Sequence, residues 1–305
     1  MQQLRKVVEN AARQDGIVLL EGESGTGKDH LARCIHRWSQ RAEGPFFAIN
    51  CAALTRELAE SELFGHEPGA FTGTRGRKRG LLELAEKGSL LLNEIGELDP
   101  AIQSKLLTFL DTKSFVRVGG EKSISIDARL FAATNRDLLR EVQDRRFRQD
   151  LYYRLAVFPI RLPPLRQRRA DIPLIVEELL DKLFDDLGLA QRPLVGPDAM
   201  RALEEYEWPG NIRELRNVLE RAIMLGGGKR ITERDLSLQD HRGQWSYTIN
   251  FPQGRSLHDV TREVARRLVL EALRRTGGKK QDAARLLGIS RHALAHQLKR
   301  LQIRA

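Results

Sequence analysis

At 305 residues, with 41% hydrophobic and 30% charged side chains, the chain has the composition of a globular protein long enough for two domains or more, which excludes a disordered or collagen-like polymer. Aromatics at 6% weigh against an all-β sandwich or barrel, and two cysteines, Cys34 and Cys51, exclude a disulfide scaffold. The net charge of +10 is concentrated: residues 255–305 carry thirteen Arg and Lys against four Asp and Glu, a net +9, as expected of a unit that meets a polyanion rather than of a merely solubilising tail. No apolar run approaches the roughly 20 residues that span a bilayer, and the opening MQQLRKVVEN lacks the apolar core of a signal peptide. A reducing cytoplasm without a membrane partner is the expected setting.

In chain order, residues 1–165 alternate short apolar runs with longer amphipathic stretches, the βαβα pattern of an α/β parallel sheet covered by helices. Strands are expected at 16–21, 46–50, 89–92, 128–134 and 156–162, each apolar enough to be buried on both faces. Pro163-Pro164 breaks the pattern. Apolar spacing in IPLIVEELLDKLF and NIRELRNVLERAIML then predicts a helical subdomain over 166–238, its longest helix ended by Gly226-Gly227-Gly228. Residues 239–255 are polar and aperiodic, as in a linker. Residues 256–305 read as three helices, LHDVTREVARRLVLEALRRT, KQDAARLLG and RHALAHQLKRL. The last two are joined by Gly288-Ile289-Ser290, with Ser290 placed to cap the third, an all-α helix-turn-helix pattern.

Gly22-Glu23-Ser24-Gly25-Thr26-Gly27-Lys28 follows an apolar strand and opens a helix. Glycines let backbone N–H groups turn towards an anion, the helix N-terminus adds its positive end, and Lys28 reaches the terminal phosphates. Asp29 stands where a Ser or Thr usually helps to hold Mg²⁺. The other half of a nucleotide site is an apolar strand ending in acids, one for Mg²⁺ and one for the attacking water. LLLNE offers one: Glu94, to polarise water or, more plainly, to solvate a strand end. Asn93 is an amide, which holds magnesium less well than a carboxylate.

The segments GESGTGKD, INCAAL, ESELFGHEPGAFTG, LLLNEIGEL, RVGG, ATNRDL, FRQDLYYRL, PPLRQRRADI and WPGNIREL occur in that order. With them the chain resembles, over nearly its whole length, the bacterial enhancer-binding proteins, NtrC-like AAA+ activators of sigma-54 RNA polymerase. The resemblance implies an AAA+ ATPase using ATP and Mg²⁺, assembled as a ring, usually a hexamer, with nucleotide between neighbours. Arg148 and Arg154 match the arginine-finger region that reaches the next subunit's γ-phosphate; by sequence alone they read as surface or ion-pair arginines. Asn135 corresponds to a γ-phosphate sensor and Arg213 to the sensor on the helical subdomain. Asn50 corresponds to the residue that holds the catalytic Glu in check, an amide near enough to Glu94 to withdraw it from the water. Without the family, both asparagines are ordinary strand-end turn residues. Gly69-Ala70-Phe71-Thr72-Gly73 matches the loop that contacts sigma-54 in the RNA polymerase holoenzyme and carries hydrolysis into remodelling of the closed promoter complex, with Phe71 as aromatic contact and Thr72 as its polar neighbour; the alternative is a turn with Phe71 buried.

Three positions depart from the family pattern. Thr74 replaces Ala at the loop end, Asp29 follows Lys28 where Glu is common, and Asn93 replaces the Walker B Asp. The last removes a negative charge beside the metal, so nucleotide binding is expected to survive with weaker Mg²⁺ affinity and turnover, and activity to be restored by Asn93→Asp. The opening MQQL resembles the middle of the family's first segment, which implies either a fragment or regulation by a partner without an attached sensor.

The basic tail resembles a Fis-type module, which implies double-stranded DNA at upstream enhancer sites as partner, bound by dimers. Leu294, Leu298 and Leu301 share a face and should pack against Ala284, Leu287 and Ile289. Arg291, His292, Ala295, His296 and Lys299 are left for a major groove, with solvated surface histidines as the plainer reading of His292 and His296. Lys279, Lys280 and Arg285 are candidates for phosphate contacts. The expected function is a sigma-54-dependent transcription regulator. Its rival is a nucleotide-sensing DNA-binding regulator with hydrolysis lost at Asn93; a metabolic phosphotransferase lacks a second substrate motif.

Overall fold

The structure, a computed structural model, describes residues 2–53, 55–70, 76–189, 191–225, 230–238, 257–301 and 303. The expected linker and the glycines 226–228 lie outside them. The chain divides into two compact units, Met1–Gln239 and Asp240–Ala305.

The first unit runs α1 (Gln2–Arg13), β1 (Val18–Glu21), α2 (Lys28–Arg37), β2 (Phe46–Asn50), α3 (Arg56–Phe64), β3 (Ser89–Asn93), α4 (Pro100–Thr112), β4 (Arg129–Thr134), α5 (Gln149–Leu155) and β5 (Phe158–Arg161), with short turns and ribbons between. The five strands form one parallel sheet in the order β2-β3-β4-β1-β5. Side chains alternate across it with period two. Leu19, Leu90, Leu92, Leu130 and Ala132 join the core that holds Leu63 of α3 and Leu106 and Phe109 of α4. Val18, Leu20, Leu91, Phe131 and Ala133 join the opposite core with Val8 of α1 and Ile35 of α2. Each fully buried leucine or phenylalanine contributes about 1.5–3 kcal/mol. Burial on both faces holds for β3, β4 and most of β1. It fails for β2 and β5, whose side chains are largely half-buried or exposed, because covering helices shield the centre of a twisted sheet more completely than its edges.

Helices α6 (Ile172–Asp186), α7 (Pro197–Glu205) and α8 (Asn211–Leu225) follow. Ile172, Val176, Leu179, Leu180 and Leu183 fall on one face of α6 and meet Leu203, Trp208, Leu215 and Leu219 in a separate core. Between α7 and α8 the chain turns at Trp208-Pro209-Gly210-Asn211, with Trp208 and Asn211 both in left-handed conformation (φ 48° and 54°).

The second unit consists of α9 (Leu257–Arg275), α10 (Lys280–Leu286) and α11 (Arg291–Arg300). Leu294, Leu298 and Leu301 are buried with Val269, Leu273, Ala283 and Ala284, and Leu287 and Ile289 pack against them. Among the described residues, no helix is long and apolar enough to cross a membrane.

Candidate functional site

Parallel strands place their C-terminal ends along one edge of the sheet, where open α/β sheets hold ligands. There β1 runs into loop 22–27, β2 ends at Asn50, β3 at Asn93 and β4 just before Asn135. These ends surround a cleft of about 410 Å³, lined by Ser24, Gly25, Gly27, Lys28, Asp29, Asn50, Asn93 and Glu94 from the sheet side and by Ile212 and Arg213 from α8. His30 of α2 and Leu179 and Arg216 of the helical subdomain complete the wall; no motif pointed to the last two, because their presence depends on how that subdomain docks.

Gly27, left-handed at φ 100°, starts α2 without a side-chain cap, so the helix presents bare N–H groups to the cleft. Lys28 is buried, and its Nζ donates to the carbonyls of Gly22 and Glu23 at 2.8 and 3.1 Å. Burial pulls its ammonium below the ordinary lysine value, opposed by the Glu94 and Asp29 carboxylates. Thr26, also buried, ties the loop by donating Oγ1–H to the Glu23 carbonyl at 2.8 Å.

At the end of β3, Glu94 leaves the strand in left-handed conformation (φ 53°, ψ 49°). Such a residue costs about 1–3 kcal/mol unless its surroundings hold it. Its Oε2 accepts from the Asn135 backbone N–H at 3.2 Å. Asn50 lines the cleft with Glu94, and its Oδ1 accepts from the Ala52 N–H at 3.0 Å, capping the short turn Cys51–Ala53. Asn93, paired in register with Asn50, donates Nδ2–H to Asp29 Oδ2 at 2.8 Å. Two of the positions that depart from the family pattern therefore meet. Among the described residues no three His, Cys, Asp or Glu form a metal cage. A cleft with two carboxylates, Asp29 and Glu94, beside a phosphate loop fits Mg²⁺, which binds through one or two carboxylates plus phosphates and water.

The helical subdomain clasps the loop from above. Arg166 donates to both Glu23 carboxylate oxygens at 2.8 and 2.6 Å, and Asn211 Nδ2 donates to Glu23 and to the Ser24 carbonyl at 3.2 and 3.0 Å. The Ile212 N–H reaches the Gly25 carbonyl at 2.9 Å, Arg168 the Thr26 carbonyl at 2.8 Å, and Arg213 Nη1 the Ser24 hydroxyl at 2.8 Å. Glu23, expected among the phosphate-binding groups, thus turns its carboxylate to the helical subdomain, and the Arg166 hydrogen bonds hold it down to about 2. Gly25 (φ 77°) lies so close to the Gly210 carbonyl that a Cβ would collide with it. Asn211, buried with its Oδ1 accepting from the Leu165 N–H at 2.7 Å, was not singled out by sequence. The signal was a polar residue ending a WPGN turn, legible only once the docked partner is known.

Arg148 and Arg154 do not line the cleft of their own chain. Arg148 chelates Asp150 at 3.0 and 2.7 Å and reaches Ser104 Oγ at 3.1 Å. Arg154 donates to the Leu110 carbonyl at 3.2 Å and pairs with Asp111 at 3.1 Å. Of the expected sigma-54 loop, Phe71, Thr72, Gly73 and Thr74 lie outside the described residues, and Gly69 and Ala70 mark its base. That base is fastened to RVGG: the Glu67 N–H donates to Val118 O and the Val118 N–H to Gly65 O, both at 3.0 Å. The buried Arg117 bonds Glu67 and Glu83 at 2.8 and 2.6 Å, and a Cβ on Gly119 would come within 3.0 Å of Ala70.

In the second unit, Ser290 Oγ accepts from the Ala293 N–H at 3.1 Å, capping α11 as expected. Lys279, Lys280, Arg285, Arg291, Ala295 and His296 are exposed, and Lys279, Lys280 and Arg291 border one shallow groove. The side chains of His292 and Lys299 lie outside the described set.

Three family models match the chain in succession: the Sigma-54 interaction domain over residues 1–161, the AAA+ ATPase lid domain over 166–247 and the bacterial regulatory protein, Fis family, over 261–301. The transcriptional regulatory protein ZraR of Escherichia coli (strain K12) is 46% identical over 300 residues, covering 98% of this chain and 67% of its own. The regulatory protein AtoC of the same strain is 45% identical over 303 residues, covering 98% and 65%. The chain therefore spans about two thirds of the length of these curated relatives. Among solved structures, NtrX from Brucella abortus in complex with ATP is 34% identical with a TM-score of 0.70, covering 99% of this chain and 68% of that one. Its complex with ADP gives 33% and 0.71 at the same coverage. Sheet, helical subdomain and three-helix unit correspond in order to these matches: the chain belongs to the sigma-54-interacting AAA+ transcriptional regulators with a Fis-type helix-turn-helix domain.

Proposed function

We propose that the chain binds ATP with Mg²⁺ at the strand-end cleft, assembles with copies of itself into a hexameric ring, and uses hydrolysis to remodel the sigma-54 RNA polymerase closed complex while its helix-turn-helix units, paired as dimers, hold upstream enhancer DNA. The observation that carries this reading is the convergence of Lys28, the bare α2 N-terminus, Glu94 and Arg213 on one cleft. Lys28 and the loop N–H groups hold the phosphates, with Arg213 and Asn135 beside the terminal one. When bound, Mg²⁺ neutralises charge on the outer phosphates. Glu94, aimed by the Asn135 N–H, takes the proton of the attacking water. Arg148 and Arg154, outside their own cleft, complete a neighbour's, a contribution worth about 10³–10⁵ in rate where arginines act in trans. The loop 69–74 then presses on sigma-54, its base braced by Arg117.

A second reading, favoured by Asn93, is a DNA-bound regulator that senses nucleotide without turning it over. Steady-state phosphate release from Mg²⁺-ATP across a protein concentration series, with ATP binding measured on the same samples, separates the two. Turnover that rises cooperatively with concentration is the expected result. Binding without turnover selects the sensing regulator, and absence of binding overturns both.

A further inference from the structure

We propose that Gln103 is a positioning residue for hydrolysis in a neighbouring subunit: by bonding the backbone around Arg148, it sets the point from which that arginine reaches across. This rests on the reading that Arg148 completes a neighbour's cleft. Gln103 lies on α4, which begins just beyond the β3 exit, and it is fully buried. A buried carboxamide is retained where its polar atoms find partners, and here both are engaged. Nε2 donates to the carbonyls of Leu98 and Arg146 at 2.8 and 3.1 Å, and Oε1 accepts from the Arg148 N–H at 2.9 Å. Carbonyls accept only and an N–H donates only, so a single orientation of the amide satisfies all three.

The segment it holds turns between the short helix Leu138–Gln143 and α5, with Arg145 in left-handed conformation (φ 57°). Phe147 is anchored by burial, and the Arg146 and Phe147 N–H groups share the Glu141 carbonyl at 2.9 and 3.1 Å. Arg148 starts α5 without a side-chain cap, where the first N–H groups have no partner within the helix. Gln103 supplies that partner from 45 positions away. The adjacent Ser104 accepts from the guanidinium at 3.1 Å, so neighbouring residues of α4 locate both ends of the arginine. The remaining anchor, Leu98, follows Glu94 by way of the turn Ile95–Glu97. One amide thereby ties the exit of the strand that ends at a chain's own cleft to the arginine that serves the next one. A displacement of about 1 Å at a reacting centre can cost about 10²-fold in rate.

Phosphate release from Mg²⁺-ATP by mixed variants of the whole chain tests the assignment. Gln103→Met keeps the unbranched shape and removes all three hydrogen bonds; it should lower turnover by about 10²-fold with nucleotide binding retained. The double variant Q103M/R148A should be no slower than Arg148→Ala, because the amide acts through that arginine. Neither Gln103→Met nor Glu94→Gln should turn over well alone. In an equal mixture, about a quarter of the head-to-tail interfaces join an intact Glu94 to an intact Arg148 segment, and turnover should rise to roughly that fraction of the wild type. Arg148→Ala mixed with Glu94→Gln should recover in the same way. Recovery with Arg148→Ala but not with Gln103→Met overturns the proposal, since Gln103 would then serve its own chain's cleft. If Gln103→Met fails to bind nucleotide, Gln103→Glu, which keeps the acceptor for the Arg148 N–H, takes its place in the mixture. Loss of binding in both assigns Gln103 to the fold and overturns the proposal. A wild type without turnover, or an Arg148→Ala mixture that stays silent, overturns the reading on which the proposal rests.

Discussion

In the strand-end cleft polar groups are fastened to one another: Glu23 to Arg166, Asn93 to Asp29, Glu94 to the Asn135 N–H, Arg213 to Ser24. The three-helix unit is organised the other way. Its core is apolar, and its Lys279, Lys280, Arg285 and Arg291 stand exposed. Charge developing on a bound phosphate is stabilised by groups already in place, because no reorganisation is then needed at the moment of reaction. A duplex is a repeating polyanion, and surface cations bind it by releasing its counterions, which asks little of their fixed position. Polar order serves the first task and apolar order with exposed charge serves the second.

The contrast breaks most sharply at Glu94. Glu94→Gln should lower phosphate release by about 10²–10⁴, with nucleotide and DNA binding retained; parallel turnover, calorimetry and DNA-shift assays check it, and unchanged turnover would return Glu94 to a strand-end role. Next comes Leu294→Ala in the core of the three-helix unit, fully buried in the wild type. It should destabilise that unit by about 2–5 kcal/mol and remove DNA binding while nucleotide binding persists. Thermal unfolding monitored by both ligands reads this directly, and equal losses of the two activities would show that the units are not independent.

The smallest effect sharpens the comparison through pH. Glu23 is lowered from the ordinary 4.5 to about 2, chiefly by its hydrogen bonds from Arg166. A depressed carboxylate stabilises the fold fully above its unfolded value and loses that contribution as pH falls through its folded value. The clasp over the phosphate loop should therefore weaken between about 4.5 and 2. In Glu23→Gln, the unfolding midpoint of the first unit should fall less steeply over this range than in the wild type; identical slopes would mean that the clasp contributes nothing.

The five strands and the order of helices were legible because apolar runs of fixed period leave few alternatives, and the phosphate loop because glycines and Lys28 stand between a strand and a helix. What sequence could not assign was which polar side chain faces which. Asn50 lines the cleft with Glu94 and also caps its own turn through the Ala52 N–H. Asn93 and Asp29 were read as separate departures, although they meet across 64 positions. Asn211 reaches Glu23 across 188 positions, and no local pattern announces a contact made when one subdomain docks on another. Rotamer and tertiary distance choose these partners, and spacing along the chain contains neither.

The Gly25–Gly210 approach bears on how such a protein can vary. A side chain at 25 would run into the Gly210 carbonyl, and one at 210 into Glu214. The obstacle at 25 is a backbone oxygen, present whatever residue occupies 210, so no second substitution makes room for the first. Contacts between side chains leave correlated changes in a lineage. This one should leave stillness at position 25, a meeting of loop and helical subdomain that a search for paired substitutions would pass over.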